Sequence, residues 1–155
     1  MADTRAQKNA EKWICENYLP AHFDGLLFEE KKLKLIWGGE FAFDAVSAES
    51  NPCVALISTS SARTAGHNLA TAKIQKLKAD TLYLLNIAIP CRKRCLIFTE
   101  KNMRDHFQNE NKNGRFPDSD IIELMHVPLP QALQDDLLQA RHHAQLEVTP
   151  AGLSQ

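Results

Sequence analysis

Apolar residues recur at intervals of three and four in four stretches of the chain, and this spacing predicts amphipathic helices. In the first helix Trp13 and Ile14 share one face, and Pro20 is predicted to end it. In the second, Ile74 and Leu77 begin an apolar side that continues to its end. Three of the four predicted helices cover residues 4–18, 69–88 and 130–147. The remaining one begins after Thr99, its predicted N-cap residue, and loses its helical pattern over residues 109–113.

Short apolar or alternating runs between these helices predict strands. Two strand pieces surround a charged stretch, residues 29–32, which is predicted to form a turn. The first three strands suit antiparallel hairpins, whereas the later alternation of strand and helix requires parallel crossovers. We therefore predict an α/β fold of order α-β-β-β-α-β-α-β-α, with a mixed central sheet flanked by helices. The two pieces of the first predicted strand cover residues 26–28 and 33–37, and the other four strands cover residues 40–46, 53–57, 95–98 and 121–124.

Length and composition fit one globular domain over residues 1–155. The hydrophobic fraction of 44% and the charged fraction of 24% are ordinary, and the formal net charge is -1. Nucleic acid would therefore have to bind at a local basic patch. No apolar run reaches the roughly 18 residues of a membrane span, and no secretory signal is recognised. Together with four cysteines that form no framework pattern, this leads us to expect a soluble, cytoplasmic protein without a membrane partner.

One short motif has a particular resemblance. Residues 40–46 (Glu-Phe-Ala-Phe-Asp-Ala-Val) are followed about ten residues on by residues 54–59 (Val-Ala-Leu-Ile-Ser-Thr), and then by a helix. This order resembles the core of the PD-(D/E)XK nuclease superfamily, the restriction-endonuclease-like fold, over about residues 11–124. The resemblance implies an aspartate on the second strand, and an acidic residue and a lysine two apart on the third, which act with Mg²⁺ or Mn²⁺ on a phosphodiester.

The motif is degenerate in this chain. Asp44 matches the first carboxylate, but Leu56 stands at the acidic position and Ser58 at the lysine position. Leucine cannot bind a cation, so an active site would need residues from elsewhere. The long helix offers Lys73 and Lys76 as catalytic candidates, although lysines on a helix are also typical of a solvated face.

The second carboxylate has three candidates. Glu16 lies on the first helix, where some members of the superfamily carry an extra acid. Glu40 shares a face of the strand with Asp44 but lies about 13 Å away along it, too far for one metal ion. Glu49 lies in the following turn. We therefore take Asp44 and Glu16 as the candidate metal ligands.

The polar segment 58–67 is a candidate anion site. Its hydroxyl groups, including those of Ser58 and Ser60, and the cationic Arg63 and His67 precede a helix N-terminus, where free N–H groups favour anions. A helix-capping loop would have a similar composition, and the Gly-Lys-Ser/Thr of a P-loop is missing. Arg115, beside an aromatic residue in a later loop, is a further candidate contact to nucleic acid.

Three hypotheses follow. In the first, the domain binds nucleic acid, DNA being favoured, through Arg63, His67, Lys73 and Lys76, and its cutting site is lost or remodelled. In the second, it is an active nuclease that needs Mg²⁺ or Mn²⁺ and uses a relocated lysine; otherwise no cofactor is expected. In the third, it is a structural or regulatory interaction protein, with a homodimer as one option. The sequence leaves open whether the domain is an enzyme.

Overall fold

A computed structural model shows an open five-stranded sheet between helices, and it describes residues 4–153, with side chains up to residue 143. The elements follow the predicted order α-β-β-β-α-β-α-β-α. The first predicted helix is divided into three consecutive segments. In chain order the elements are α1 (Arg5–Trp13), a π-helical segment (Ile14–Tyr18), α2 (Leu19–His22), β1 (Phe28–Lys34), β2 (Glu40–Ser47), β3 (Cys53–Ser58), α3 (Thr71–Leu85), β4 (Lys93–Phe98), α4 (Lys101–Lys112), β5 (Glu123–His126) and α5 (Gln131–Leu153).

The first helical region continues past Pro20, so the predicted end there is wrong. The chain passes from α1 through the π-helical segment into α2, and Pro20 lies in the first turn of α2. The change from π-helical to α-helical hydrogen bonding falls at this point, so a proline without an N–H is accommodated inside a continuous helical region. The extended helical region buries Ile14, Cys15 and Leu19 against the sheet.

The sheet is mixed, as predicted. Its strand order is β1-β2-β3-β4-β5; the first two pairings are antiparallel and the last two are parallel. The charged residues 29–32 lie inside β1 and do not form the predicted turn. The physical reason is that β1 is an edge strand with exposed side chains, so charge does not interrupt it.

A register shift distorts the pairing of β1 with β2. Glu29 pairs with Val46 and Lys31 pairs with Phe43, so Glu30 alone faces both Asp44 and Ala45. Such a β-bulge bends its strand and changes the direction of a side chain. At Asp44 the bulge therefore interrupts the alternation of β2 side chains between the two faces of the sheet.

The sheet separates two apolar cores, and β3 contributes to both of them. Its odd-numbered residues, such as Ala55, face the first helical region, whereas Val54 and Leu56 face α3 and α4. A strand covered on both faces is uniformly apolar, which explains the unbroken run predicted for a central strand. The largest fully buried side chains on the α3 and α4 side are Phe43, Phe98, Phe107, Leu84, Leu96, Met103 and Ile122.

The N-cap of α4 is one residue later than predicted. Thr99 continues from β4, with its N–H donating to the Ser58 carbonyl, and Glu100 is the N-cap residue. The helix then runs to Lys112 instead of dissolving from residue 109, and Gly114 follows it with a φ of 72°. Glu100 also accepts hydrogen bonds from Gln134 and Arg141, which attach α5 to this corner of the fold.

Candidate functional site

Asp44 lies where β2 and β3 separate. The ladder between these strands pairs Val46 with Val54 and Ala45 with Ala55, and β2 then turns away at the bulge. The backbone N–H of Ile57 donates to Oδ2 of Asp44 at 2.7 Å. The side chain of Asp44 thus occupies the gap between two strands and is held there by a main-chain donor.

Three carboxyl groups meet at this point. Asp44, Glu11 of α1 and Glu30 of β1 each offer an oxygen atom that lies within 4.8 Å of the other two. The bulge accounts for the proximity of Asp44 and Glu30, which face each other across β1 and β2. Glu11 reaches the same place because α1 packs over this face of the sheet. We call these three residues the carboxylate cluster.

Two neighbours on α1 contact the carboxylate cluster. The side chain of Gln7 donates to Oε2 of Glu11 at 3.0 Å. Nζ of Lys8 lies 3.8 Å from Oε2 of Glu30, and both of these side chains are more than half exposed. Such an exposed ion pair contributes little to stability, so it does not offset the repulsion between the three carboxyl groups.

Burial raises the pKa of two members of the carboxylate cluster, Asp44 and Glu11. It raises the pKa of Asp44 to about 7, against the lowering effect of the Ile57 hydrogen bond, and nearby Glu11 and Glu30 raise it further. Burial also raises the pKa of Glu11, partly offset by the hydrogen bond from Gln7. The fold therefore places Asp44 where hydrogen bonds and positive charges do not fully balance the negative charge of its carboxylate.

The carboxylate cluster has suitable donors for a divalent cation. Carboxylate oxygens are the hard ligands that Mg²⁺ and Mn²⁺ prefer, and two oxygens on opposite sides of one cation lie about 4 to 5 Å apart. The closest oxygens of the cluster are at most 4.8 Å apart, within the reach of ligands that share one cation. Asp44, Glu11 and Glu30 thus fit a hard divalent cation both in chemistry and in spacing.

A pocket of about 280 Å³ opens beside Asp44, and we call it the Asp44 pocket. Helix α3 contributes Lys73 and Lys76 to it, and the end of β3 contributes Ser58 and, just beyond, Ser60. The structure thus brings together both predicted catalytic lysines, the predicted Asp44 and two of the predicted anion-binding serines. Leu56 also lines the pocket, at the position where the resemblance would place an acid.

The two lysines of the Asp44 pocket have different partners. Nζ of Lys76 forms an ion pair with Oδ2 of Asp80 at 2.9 Å, one helical turn further on. Lys73 is exposed and forms no ion pair with any residue whose side chain the structure describes. Lys73 is therefore the more available ammonium group.

A second, larger groove adjoins the Asp44 pocket. Its volume is about 570 Å³, and it shares Gln7, Ser60 and Lys73 with the pocket. The loop after β3 and the N-terminus of α3 form one wall, and α5 forms the other. We call it the α5 groove. Arg63, one of the predicted anion-binding residues, lines the α5 groove.

Three of the predicted site residues lie elsewhere. Glu16 lines a recess together with all three members of the carboxylate cluster, but it forms an ion pair with Lys12 at 3.9 Å and lies outside the 4.8 Å group. His67 has a φ of 63°, is exposed, and lines neither the Asp44 pocket nor the α5 groove. Arg115 forms an ion pair with Glu110 at 2.6 Å at the end of α4.

Sequence reasoning missed Glu11 and Glu30. A signal existed for Glu11, which lies three residues before Ile14 and four before Cys15, beside the inward face of α1. Glu16 lies five residues further on, in the π-helical segment, and its carboxyl group is not among the three that lie within 4.8 Å of one another. Glu30 gave no such signal, because the charged residues around it predicted a turn.

No family model, curated protein or solved structure matches this chain. The helices of residues 4–153 include none with the length and apolarity needed to cross a bilayer. The geometry of the site itself is therefore the basis for assigning a function.

Proposed function

We propose that this protein is a restriction-endonuclease-like phosphodiesterase that uses a divalent metal ion to cut a nucleic-acid backbone. The observation that carries the proposal is the carboxylate cluster, three carboxyl groups within 4.8 Å of one another, of which Asp44 also lines a pocket that contains Lys73 and Lys76. The mixed sheet, with Asp44 on the second strand and Leu56 on the third, agrees with the arrangement that the sequence resemblance implies.

The carboxylate cluster supplies what the degenerate motif lacks. Because Leu56 occupies the acidic position on β3, the second and third acids come from α1 and β1 as Glu11 and Glu30. In this proposal they hold Mg²⁺ or Mn²⁺ together with Asp44. Such an ion, when bound, lowers the pKa of a water molecule and neutralises charge on the phosphate.

The remaining residues of the Asp44 pocket orient the substrate. Lys73 places its ammonium group against a non-bridging phosphate oxygen, where it stabilises the negative charge that grows during cleavage. The hydroxyl groups of Ser58 and Ser60 donate hydrogen bonds to the same phosphate. Ile57 holds Asp44 in place through its N–H, and Gln7 does the same for Glu11.

Cleavage assays test this proposal directly. Single-stranded and double-stranded DNA are incubated with Mg²⁺ or Mn²⁺ and with wild type, Asp44→Asn, Glu11→Gln or Glu40→Gln protein. We expect the first two variants to lose at least about a hundredfold in rate, because each removes a charged metal ligand. Glu40→Gln is the matched control, since Glu40 is exposed at the start of the same strand, and its rate should not change.

Two results would contradict the proposal. Cleavage that survives Asp44→Asn unchanged would indicate a contaminating nuclease. No cleavage, combined with no binding of Mg²⁺ or Mn²⁺ in a calorimetric titration, would leave a domain that binds nucleic acid without cutting it. The leucine at position 56 favours that second function, because it removes the acid that the third strand would otherwise supply.

A further inference from the structure

The α5 groove has an unusual charge distribution for a protein with 19 acidic residues. Its lining includes Arg63, Lys73 and Arg141, whereas none of the acidic residues with described side chains lines it. Arg63 is exposed, and it forms no ion pair with a described side chain. A groove with this lining attracts polyanions, and phosphate groups are its natural occupants.

The loop that carries Arg63 is held in place. Asn102 of α4 accepts a hydrogen bond from the N–H of Ala62 at 3.1 Å and donates another to Oγ of Ser61 at 2.9 Å. Ala62 is 3% exposed and packs into the core. Arg63 therefore extends from a fixed point, so its position relative to the groove is set by the fold.

The opposite wall of the α5 groove combines apolar and cationic side chains. Leu137 is buried in it, whereas Leu138 is 51% exposed and borders the groove. The groove thus offers cations for a charged backbone on both walls, and Leu138 on α5 offers an apolar surface for the faces of unpaired bases. The volume of about 570 Å³ lies within the roughly 300 to 1,000 Å³ of small-molecule sites, a size that suits a short piece of one strand.

We propose that the α5 groove binds the single-stranded part of a nucleic-acid substrate next to the bond that is cut, with Arg63 and Lys73 on its phosphates and Leu138 against its bases. This inference rests on the proposed function for the class of substrate. The groove shares Lys73 and Ser60 with the Asp44 pocket, so one strand can pass from one to the other. The protein accordingly prefers single strands, or duplexes with unpaired ends, to blunt duplexes.

Binding without metal tests this inference separately from cleavage. Fluorescence anisotropy in EDTA measures the affinity of a labelled oligothymidylate of about 15 nucleotides and of a blunt duplex of equal length. We expect the single strand to bind about tenfold more tightly. Arg63→Ala should weaken single-strand binding about threefold to tenfold and reduce the slope of log K against log salt by about 0.7, the amount for one lost phosphate contact.

Matched variants separate the groove from general surface charge. Arg92→Ala removes an exposed arginine next to Pro52, at the opposite end of β3, and should change affinity less than twofold. Leu138→Glu places a negative charge in the groove and should weaken binding about tenfold. Leu82→Glu is its control, because Leu82 is 52% exposed on α3 and lines neither the groove nor the Asp44 pocket.

The outcomes distinguish the two proposals. Equal binding of both probes, or wild-type affinity in both Arg63→Ala and Leu138→Glu, would overturn the groove assignment even if cleavage depends on Asp44. Loss of affinity in these two variants, without any cleavage by wild type, would support the groove and overturn the proposed enzyme. All four substitutions are at exposed positions, and thermal melts would verify that the variants are folded.

Discussion

At the scale of single residues, Asp44 and Glu110 show how differently one fold treats its acidic side chains. Glu110 is 7% exposed. Its pKa is lowered to about 2, mainly by the hydrogen bond from Lys78 and next by the one from Arg115. Burial instead raises the pKa of Asp44 to about 7. Paired buried carboxylates are typical of structural networks, whereas an undercompensated carboxyl group in a pocket is typical of a functional site.

The raised pKa predicts how stability depends on pH. The folded protein keeps a proton on Asp44 up to about pH 7, whereas the unfolded chain releases it near pH 4. The contribution of Asp44 to the free energy of unfolding therefore decreases as the pH rises from about 4 to 7, and it stays low above pH 7. Asparagine at this position can still accept the Ile57 hydrogen bond but carries no charge.

We accordingly expect Asp44→Asn to raise the free energy of unfolding by roughly 1 to 4 kcal/mol at pH 8 and by close to nothing at pH 4. Urea denaturation in EDTA at pH 4, 6 and 8 measures this difference. Glu40→Gln, an exposed neighbour on the same strand, should change stability by less than about 0.5 kcal/mol at any of these values. A gain from Asp44→Asn that did not change with pH would refute the argument from charge.

At the scale of elements, α5 depends on one side chain for its attachment to α4. Oε2 of Glu100 accepts hydrogen bonds from Nε2 of Gln134 at 2.7 Å and from Nη2 of Arg141 at 3.2 Å. Nε of Arg141 is buried without a hydrogen-bond partner among the described residues. Glu100 thus compensates a partly buried guanidinium group and positions one wall of the α5 groove.

Glu100→Ala should loosen α5 while leaving the sheet intact. Two charge-assisted or polar contacts of about 1 kcal/mol each are lost, so amide exchange over residues 131–143 should become at least severalfold faster. Exchange over α3 should not change. Hydrogen–deuterium exchange measured by mass spectrometry tests this, with Asp105→Ala as the control, because Asp105 is exposed and pairs with its neighbour Arg104. Equal protection of α5 in wild type and Glu100→Ala would show that Leu137 and its apolar neighbours hold the helix alone.

At the scale of the whole molecule, a bound cation would link three parts of the fold. Glu11, Glu30 and Asp44 belong to α1, β1 and β2, and a ligand that binds these residues only in the folded state stabilises the folded state. The same ligands must lose their protons to bind, so the stabilisation should depend on pH.

We expect Mg²⁺ or Mn²⁺ at about ten times its Kd to add about 1.4 kcal/mol of stability and to raise Tm by about 3 to 6 °C at pH 8. The shift should be smaller at pH 5.5, where Asp44 is protonated, and should disappear in Asp44→Asn. Differential scanning fluorimetry with and without EDTA measures it. A shift of the same size in wild type and Asp44→Asn would place the bound ion elsewhere.

Local pattern was sufficient to predict the order of the elements and the mixed sheet. Apolar spacing in residues 69–88 located α3 to within a few residues at each end, and the unbroken apolar run at β3 indicated a strand covered on both faces. The exceptions have local causes. β1 is an edge strand whose charges face solvent, and Pro20 follows a π-helical segment inside a continuous helical region.

The sequence by itself determined the elements, their order and the candidates Asp44, Lys73 and Lys76, because helical and strand periodicity are properties of neighbouring residues. The tertiary structure alone decided that Glu11 and Glu30, and not Glu16, lie beside Asp44. Their positions depend on the packing of α1 over the sheet and on the β-bulge opposite Glu30. Both are contacts between residues far apart in the chain, and no local pattern encodes which distant carboxyl groups will meet.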